Sequence, residues 1–422
     1  MTADQASAIW HPFTQHGLEP EMTRIARSEG AWLETTDGKR LFDAVSSWWV
    51  VTHGHCHPKI IAAIKAQSET LDQVIFAGFT HEPAESVARG LIDIAPAGLE
   101  HVFFSDSGST SVEVALKMAL GYWRNRGEKR TRILALEHAY HGDTVGTMSA
   151  GARGVFNAAY EPLLYDVGRI PFPENEREQE TFDALDQACA RGDVAAFICE
   201  PLILGAGGML IYSASALAAM RAICKRHKVL FIADEVMTGF GRTGSLFACE
   251  QAQITPDILC VAKGLTGGVL PLAATLCTPD IFDAHVSTDR SKMFFHSSSY
   301  TANPIACAAA TANLEIWQTE PVTERIAKLA TSQTKQLAKF ANDARFQNNR
   351  QIGTIAAFDV ISSDAGYLSN MALELRKSCL KRGVLLRPLG NTIYVMPPYC
   401  ATDADLDHAY AAISGAVDEV LT

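Results

Sequence analysis

Two apolar runs in this chain each end in an ionisable residue. Val229–Ala233 (VLFIA) leads into Asp234 and Glu235, and Ile258–Ala262 (ILCVA) leads into Lys263 and Gly264. Runs of this length and composition suit parallel strands buried on both faces. In open α/β sheets, ligands sit outside the carboxyl ends of the strands. A lysine amine placed there can form a Schiff base with an aldehyde, and a carboxylate can keep a pyridine nitrogen protonated so that the ring accepts electrons. The pair points to pyridoxal phosphate, with Asp234 facing the ring nitrogen. Lys263 would be the covalent anchor and, once displaced, the carrier of the substrate's α-proton. A lysine in water has a pKa of about 10.4, so desolvation and a nearby cation must lower it toward roughly 7–8 for this work. A lone loop lysine or a lone capping aspartate would be ordinary; the two together, after buried strands and beside glycines, favour the cofactor.

A cofactor phosphate needs its own cradle. His101–Ser111 (HVFFSDSGSTS) reads as a short strand, Val102–Phe104, a turn of small residues, and the start of a helix whose Val112, Ala115, Leu116, Ala119 and Trp123 share one face. Free N–H groups at such a helix start bind anions. Gly108 permits close approach and the Ser109 and Thr110 hydroxyls add donors, although serine and threonine also serve as plain N-caps. Glu113 and Lys117 are spaced for an i,i+4 ion pair. In Glu137–Thr144 (EHAYHGDT), Tyr140 can stack on a flat ring, while His141 and Asp143 can reach substrate. The Ser297–Ser299 hydroxyls can reach a phosphate. Of the neighbours Trp48 and Trp49, one can pack in the core while the other faces a ligand. Arg387, at a strand end before Pro388, can hold a carboxylate bidentately; a surface salt bridge is the commoner fate of one arginine.

These side chains need a scaffold. Helical and strand patterns alternate from about residue 102 to 277, which predicts a mostly parallel sheet with helices on both faces. Ala31–Leu41 reads as a hairpin turned by Asp37-Gly38, and Pro58 suits the first turn of a helix. From about residue 311, helices alternate with strands at Gly353–Val360, Val384–Arg387 and Thr392–Met396, as in a smaller α+β domain. The expected organisation is an N-terminal segment, 1–50, belonging to the small domain, a large cofactor domain, 51–310, and a C-terminal small domain, 311–422.

Two motifs are set aside. Gly239, Gly241 and Gly244 spell GxGxxG, but no long apolar helix follows, so a dinucleotide site is rejected. His53, His55, Cys56 and His57 crowd into five residues and could not readily converge on one metal ion. The net charge of −11 argues against general nucleic-acid binding. Ten scattered cysteines without a CxxC pair suggest a reducing compartment, hence the cytoplasm. Neither a secretory signal nor a membrane span is expected.

The sequence resembles the class III, fold-type I pyridoxal-phosphate aminotransferases over nearly its full length, through FIADEVMTGFGRTG, PDILCVAKGLTGG and SDSGSTSVEVALKMA. Through IWHPFT, SSWW, HAYHGDT, EPLILGAGGM, NPIACAAA and LLRPLGNTIYVMPPY it is most similar to the branch that aminates 8-amino-7-oxononanoate in biotin biosynthesis. The resemblance implies that Lys263 carries the cofactor, Asp234 pairs with its ring nitrogen, Gly108 and Ser109 hold its phosphate and Tyr140 stacks on the ring. It implies that Trp48 lines the substrate pocket, Arg387 binds the acceptor carboxylate and Arg242 contributes. It further implies a homodimer in which Ser299 reaches the partner subunit's cofactor, with no metal. Where relatives have WHPYT this chain has Phe13, one hydroxyl fewer; where they have HGPTF it has His296-Ser297-Ser298-Ser299-Tyr300, which keeps a hydroxyl at Ser299. The implied amino donor is S-adenosylmethionine, with lysine the donor in some relatives. An ω-amino acid:pyruvate or diamine aminotransferase would use the same cofactor residues. A nucleotide-binding module without catalysis is the remaining alternative from another class.

Overall fold

The computed structural model describes residues 7–362 and 368–421. Seven strands make the central sheet: His101–Ser105 (β1), Arg132–Leu136 (β2), Gly168–Ile170 (β3), Val194–Cys199 (β4), Leu230–Asp234 (β5), Ile258–Val261 (β6) and Ala273–Cys277 (β7). Their spatial order is β1-β7-β6-β5-β4-β2-β3. Neighbours from β6 to β3 are parallel, and β7 alone runs antiparallel to both of its neighbours. The mostly parallel α/β architecture expected from the sequence is therefore present. The carboxyl ends of β1, β2, β4, β5 and β6 all open on one edge.

The central strands β4, β5 and β6 are apolar up to their last residues because both faces are covered. On β5, Leu230 and Ile232 enter the core that contains Val112, Leu116 and Trp123 of the helix Gly108–Asn125. Phe231 and Ala233 enter the opposite core, with Leu217, Met220 and Cys224 of the helix Ala214–Arg226. Each fully buried side chain of this size contributes roughly 1.5–3 kcal/mol, so the sheet is a rigid support for the residues at its ends.

Apart from the short pair Ile203–Leu204 and Leu210–Ile211, the remaining strands lie at the two ends of the chain. Trp32–Thr35 and Arg40–Asp43 form the expected hairpin, turning at Gly38 with φ +83°. Arg40–Asp43 pairs in parallel with Val384–Leu385, so the N-terminal strands share a sheet with the C-terminal part. Phe346–Ile352, Ile355–Val360 and Thr392–Val395 form an antiparallel sheet. It shares a core with Leu329 and Leu337 of Val322–Phe340, Leu375 of Asn370–Lys381 and Ile413 of Asp403–Leu421. The helix Pro304–Thr319 gives Ala309, Ala312 and Ile316 to this core, and Ala306, Ala310 and Leu314 to the core under the central sheet. The break drawn at 310/311 falls inside it.

Pro58–Ser68 begins with its proline in the first turn, as expected. Gly239–Gly244 forms a turn, and the helix after it, Ala248–Gln251, has four residues. The Glu113–Lys117 pair is a correction. Glu113 Oε1 instead accepts from the Thr144 hydroxyl at 2.6 Å and the Gly146 N–H at 2.7 Å, while Lys117 Nζ donates to Phe295 O at 2.6 Å. Hydroxyl and backbone donors in a neighbouring loop offer a half-buried carboxylate more than an exposed ion pair does. Of the histidines, His55 turns to the Asp43 carboxylate at 2.8 Å, while His53 and His57 stay edge-on at 6.1 Å with His57 lying 3.5 Å from Glu320. Among the described residues, no helix is long and apolar enough to cross a membrane.

Candidate active site

Lys263 follows β6 with φ +46°, a left-handed backbone that a lysine adopts only under constraint. The next turn, Lys263–Thr266, is clamped by Asn313, whose Nδ2 donates to Gly264 O and Leu265 O at 3.0 Å each. This pinned turn aims the side chain inward, where Nζ lies 5.3 Å from the centre of the Trp49 ring. Burial lowers the pKa of Lys263, Asp234 and Glu200 oppose that shift, and Arg242 adds to it. A buried amine with a cation nearby is biased toward its neutral form.

Asp234 ends β5. Its Oδ1 accepts the Val236 N–H at 3.1 Å, and its Oδ2 lies 2.7 Å from His141 Nδ1. Both side chains are buried, and His141 Nε2 has no hydrogen-bond partner. Glu200 follows β4 in the same way. Its Oε1 accepts the Tyr140 N–H at 3.0 Å and its Oε2 the Gly205 N–H at 2.9 Å. Burial raises the Glu200 carboxyl to about 7.

β1 delivers the N-terminus of Gly108–Asn125. Ser107 and Thr110 close a capping box there, and Ser109 Oγ accepts the Asp143 N–H at 3.2 Å. A Cβ on Gly108 would stand 2.6 Å from Val236 Cγ1, and one on Gly142 would stand 2.1 Å from Ser109 Oγ. Glycine at both positions lets three loops meet around the helix end. Ser107, Gly108, Ser109, Tyr140, His141, Glu200, Asp234 and Lys263 line one cleft of about 430 Å³.

The sequence candidates divide. Lys263, Asp234, Tyr140, Gly108 and Ser109 converge on the cleft, together with Trp49. Trp48 and Arg387 line an adjoining groove of about 860 Å³. There the Arg387 guanidinium sits 4.4 Å over the Trp48 ring and donates to Phe13 O at 3.3 Å. Among the described residues it has no acidic partner. Phe13 meets the Trp48 ring edge-on at 5.5 Å. Ser299 is exposed and does not line the cleft, although the Ser298 hydroxyl beside it donates to the cleft residue Asp106 at 3.0 Å; the Ser299 carbonyl accepts from Gln73 Nε2 at 2.6 Å. Arg242 is buried and donates to Trp49 O at 3.2 Å, Val51 O at 2.7 Å and Pro397 O at 3.2 Å.

Comparison with known proteins bears on this geometry. Residues 13–417 match the family model described as aminotransferase class-III. The chain belongs to the class III aminotransferases. It is 48% identical to the adenosylmethionine-8-amino-7-oxononanoate aminotransferase of Synechococcus elongatus, over 98% of this chain and 99% of the relative. The crystal structure of the adenosylmethionine-8-amino-7-oxononanoate aminotransferase from Methanocaldococcus jannaschii superposes with TM-score 0.93 at 35% identity, covering 98% of this chain and 97% of that one. An amine transaminase from an uncultivated Pseudomonas species, in its pyridoxal-phosphate-bound form, gives TM-score 0.93 at 32% identity, covering 98% and 99%.

The residues of this class III aminotransferase suit the cofactor. The helix end offers free N–H groups to an anion, and Tyr140, Asp234 and Lys263 line the same cleft, a donor set that fits a phosphate, a flat ring and an aldehyde. Sequence reasoning missed Glu200, although it obeys the strand-end rule that exposed Asp234 and Lys263. His141 lines the cleft, where the sequence put it in reach of substrate, and its imidazole also backs Asp234.

Proposed function

We infer that the chain is a pyridoxal-phosphate aminotransferase that converts 8-amino-7-oxononanoate to 7,8-diaminononanoate in biotin biosynthesis, with S-adenosylmethionine as amino donor. The observation that carries this reading is the convergence of Lys263, Asp234 and the Gly108–Ser109 helix end on one cleft. The near full-length similarity to enzymes of that name supports the substrate choice. Bound here, pyridoxal phosphate supplies an aldehyde that exchanges amines and a ring that accepts electrons.

The protein does the rest. Gly108 and Ser109 receive the phosphate at the positive end of the helix. Asp234, oriented by His141 and the Val236 N–H, holds the proton on the ring nitrogen. Tyr140 covers a ring face. Lys263 would hold the cofactor through Nζ and, when free, would move the proton at the amine-bearing carbon. Its neutral form is favoured by burial and by Arg242. The Arg387 guanidinium, in the groove with Trp48, is available to the acceptor's carboxylate. One cleft takes donor and acceptor in turn, so parallel double-reciprocal plots are expected.

The same proposal covers the organisation. The chain works as a homodimer in the cytoplasm, with 1–50 and 311–422 forming the small domain and 51–310 the large one. All ten cysteines are free, which suits a reducing compartment. Exposed Ile75, Phe79, Phe295 and Tyr300, near Ser299 in sequence or through Gln73, provide apolar surface for a second subunit to cover.

Borohydride reduction followed by peptide mass spectrometry tests the chemistry: pyridoxyl should be found on Lys263, and an unlabelled Lys263 peptide would refute the reading. A donor screen with 8-amino-7-oxononanoate held as acceptor, set against pyruvate as acceptor, tests the substrates. Preference for pyruvate would favour an ω-amino acid:pyruvate aminotransferase, the reading that the amine transaminase likeness supports.

A further inference from the structure

We propose that Glu200 is a positioning residue whose carboxylate ties the backbone of Tyr140 to the Gly205 turn and so holds the tyrosine ring in the cleft wall. It is 4% exposed, and each carboxylate oxygen accepts one backbone N–H, from Tyr140 at 3.0 Å and from Gly205 at 2.9 Å. The Tyr212 hydroxyl donates to the Glu200 carbonyl at 2.8 Å, so the residue is fixed at its own backbone as well. Both tied segments form active-site walls. A Cβ on Gly205 would stand 2.5 Å from Met237 Sδ and 3.3 Å from the Trp49 ring, so this turn is packed directly on two cleft residues. Tyr140 divides the cleft from a second cavity of about 170 Å³, lined also by Phe156, Ala206 and Gly207. Glu200 braces this partition from behind.

The brace depends on charge. Among the described residues, His141, Asp234, Lys263, Cys199 and the Tyr212 phenol are the titratable groups that face Glu200. Burial raises its carboxyl to about 7, His141 opposes, Asp234 adds, and the two N–H donors oppose. Hydrogen bonds to an ionised acceptor are roughly twice as strong as neutral ones. The Tyr140 and Gly205 amides are therefore held more tightly as pH rises through neutrality.

This inference rests on the aminotransferase reading for its kinetic test only; its first test needs no turnover. Hydrogen exchange of the wild-type holoenzyme is followed at pH 6 and pH 8, corrected for the intrinsic rate. Peptides containing Tyr140 and Gly205 should gain protection of about tenfold at the higher pH, the scale of one strengthened buried hydrogen bond. In E200Q, whose amide nitrogen cannot accept, that gain should vanish. In the kinetic test, the acid limb of kcat/KM near pH 7 should flatten in E200Q while pyridoxyl trapping at Lys263 persists. Equal protection of the wild-type peptides at both pH values overturns the proposal. So does an acid limb that survives unchanged in E200Q. If E200Q does not fold, the wild-type exchange measurement decides alone.

Discussion

Glu200, Asp234 and Glu235 each follow a buried strand, yet each meets a different set of donors. Asp234 has an imidazole and a turn amide, which leave it directed at the cleft. Glu235 accepts from the Thr238 hydroxyl at 2.6 Å and the Ala248 and Cys249 N–H groups at 3.0 and 2.8 Å, so it secures the GxGxxG turn from below and takes no part in chemistry. Glu200 is poised between ionised and neutral, with consequences for stability. Its carboxyl is raised to about 7 in the folded chain, against about 4.3 in an unfolded one. The folded state binds the extra proton between those values, so this contribution is fully present below about pH 4.3 and is lost as pH rises through 7. The loss amounts to about 4 kcal/mol. The urea-derived stability of wild type minus that of E200Q should fall across this window, since groups common to both cancel. A difference that stays flat from pH 4.5 to 8 would show that Glu200 titrates normally.

At the scale of elements, the turn Ser46–Trp49 places the cleft tryptophan. Four consecutive residues have positive φ, from +46° at Ser47 to +73° at Trp49, and none is glycine. Such strain, about 1–3 kcal/mol at each residue, persists only where surroundings over-determine it. Asp43 supplies much of that constraint, accepting the Ser47 N–H at 2.9 Å and the Ser47 hydroxyl at 2.7 Å while lying 2.8 Å from His55. Ser46 Oγ donates to Met396 O at 2.8 Å, and Trp49 Nε1 donates to Tyr394 OH at 3.0 Å. Asp43→Ala should cost about 3 kcal/mol, the scale of a buried pair deprived of one partner. It should also lower kcat more than it raises KM, because Trp49 faces the Lys263 amine; urea titration and steady-state kinetics check both parts. The limits of sequence reading follow from the same turn. The strands ending at Asp234 and Lys263 were legible because buried parallel strands leave continuous apolar runs. Which of two adjacent tryptophans enters the cleft was not legible, because a left-handed turn without glycine has no local signal and is held jointly by Asp43 nearby and by Met396 and Tyr394, some 350 positions away. The fate of Glu113 was hidden for the same reason: helical spacing offered Lys117, while the loop after β2 offered better donors.

On the scale of the whole molecule, the position of Ser299 makes the proposed dimer testable through the active site itself. Ser299 is exposed and does not line its own chain's cleft; in the proposed dimer its hydroxyl serves the partner subunit's phosphate. Lys263→Ala chains cannot anchor the cofactor but carry an intact Ser299. Ser299→Ala chains keep Lys263 but offer the partner one hydroxyl fewer, a loss of roughly 0.5–1.5 kcal/mol at an ordinary hydrogen bond and more to a charged phosphate. In a mixed dimer, the site built on the Ser299→Ala chain receives Ser299 from the Lys263→Ala chain and is complete. The site on the Lys263→Ala chain stays inactive. Co-expressing the two variants should therefore restore cofactor retention per intact Lys263 above that of the Ser299→Ala protein alone, read as bound pyridoxal phosphate after gel filtration. If Ser299 acted within its own chain, or if the protein were a monomer, mixing would change nothing: every competent Lys263 would still lie on a chain without the hydroxyl. A gain on mixing thus establishes both the assembly and the exchange of Ser299 across it, since neither alone produces complementation.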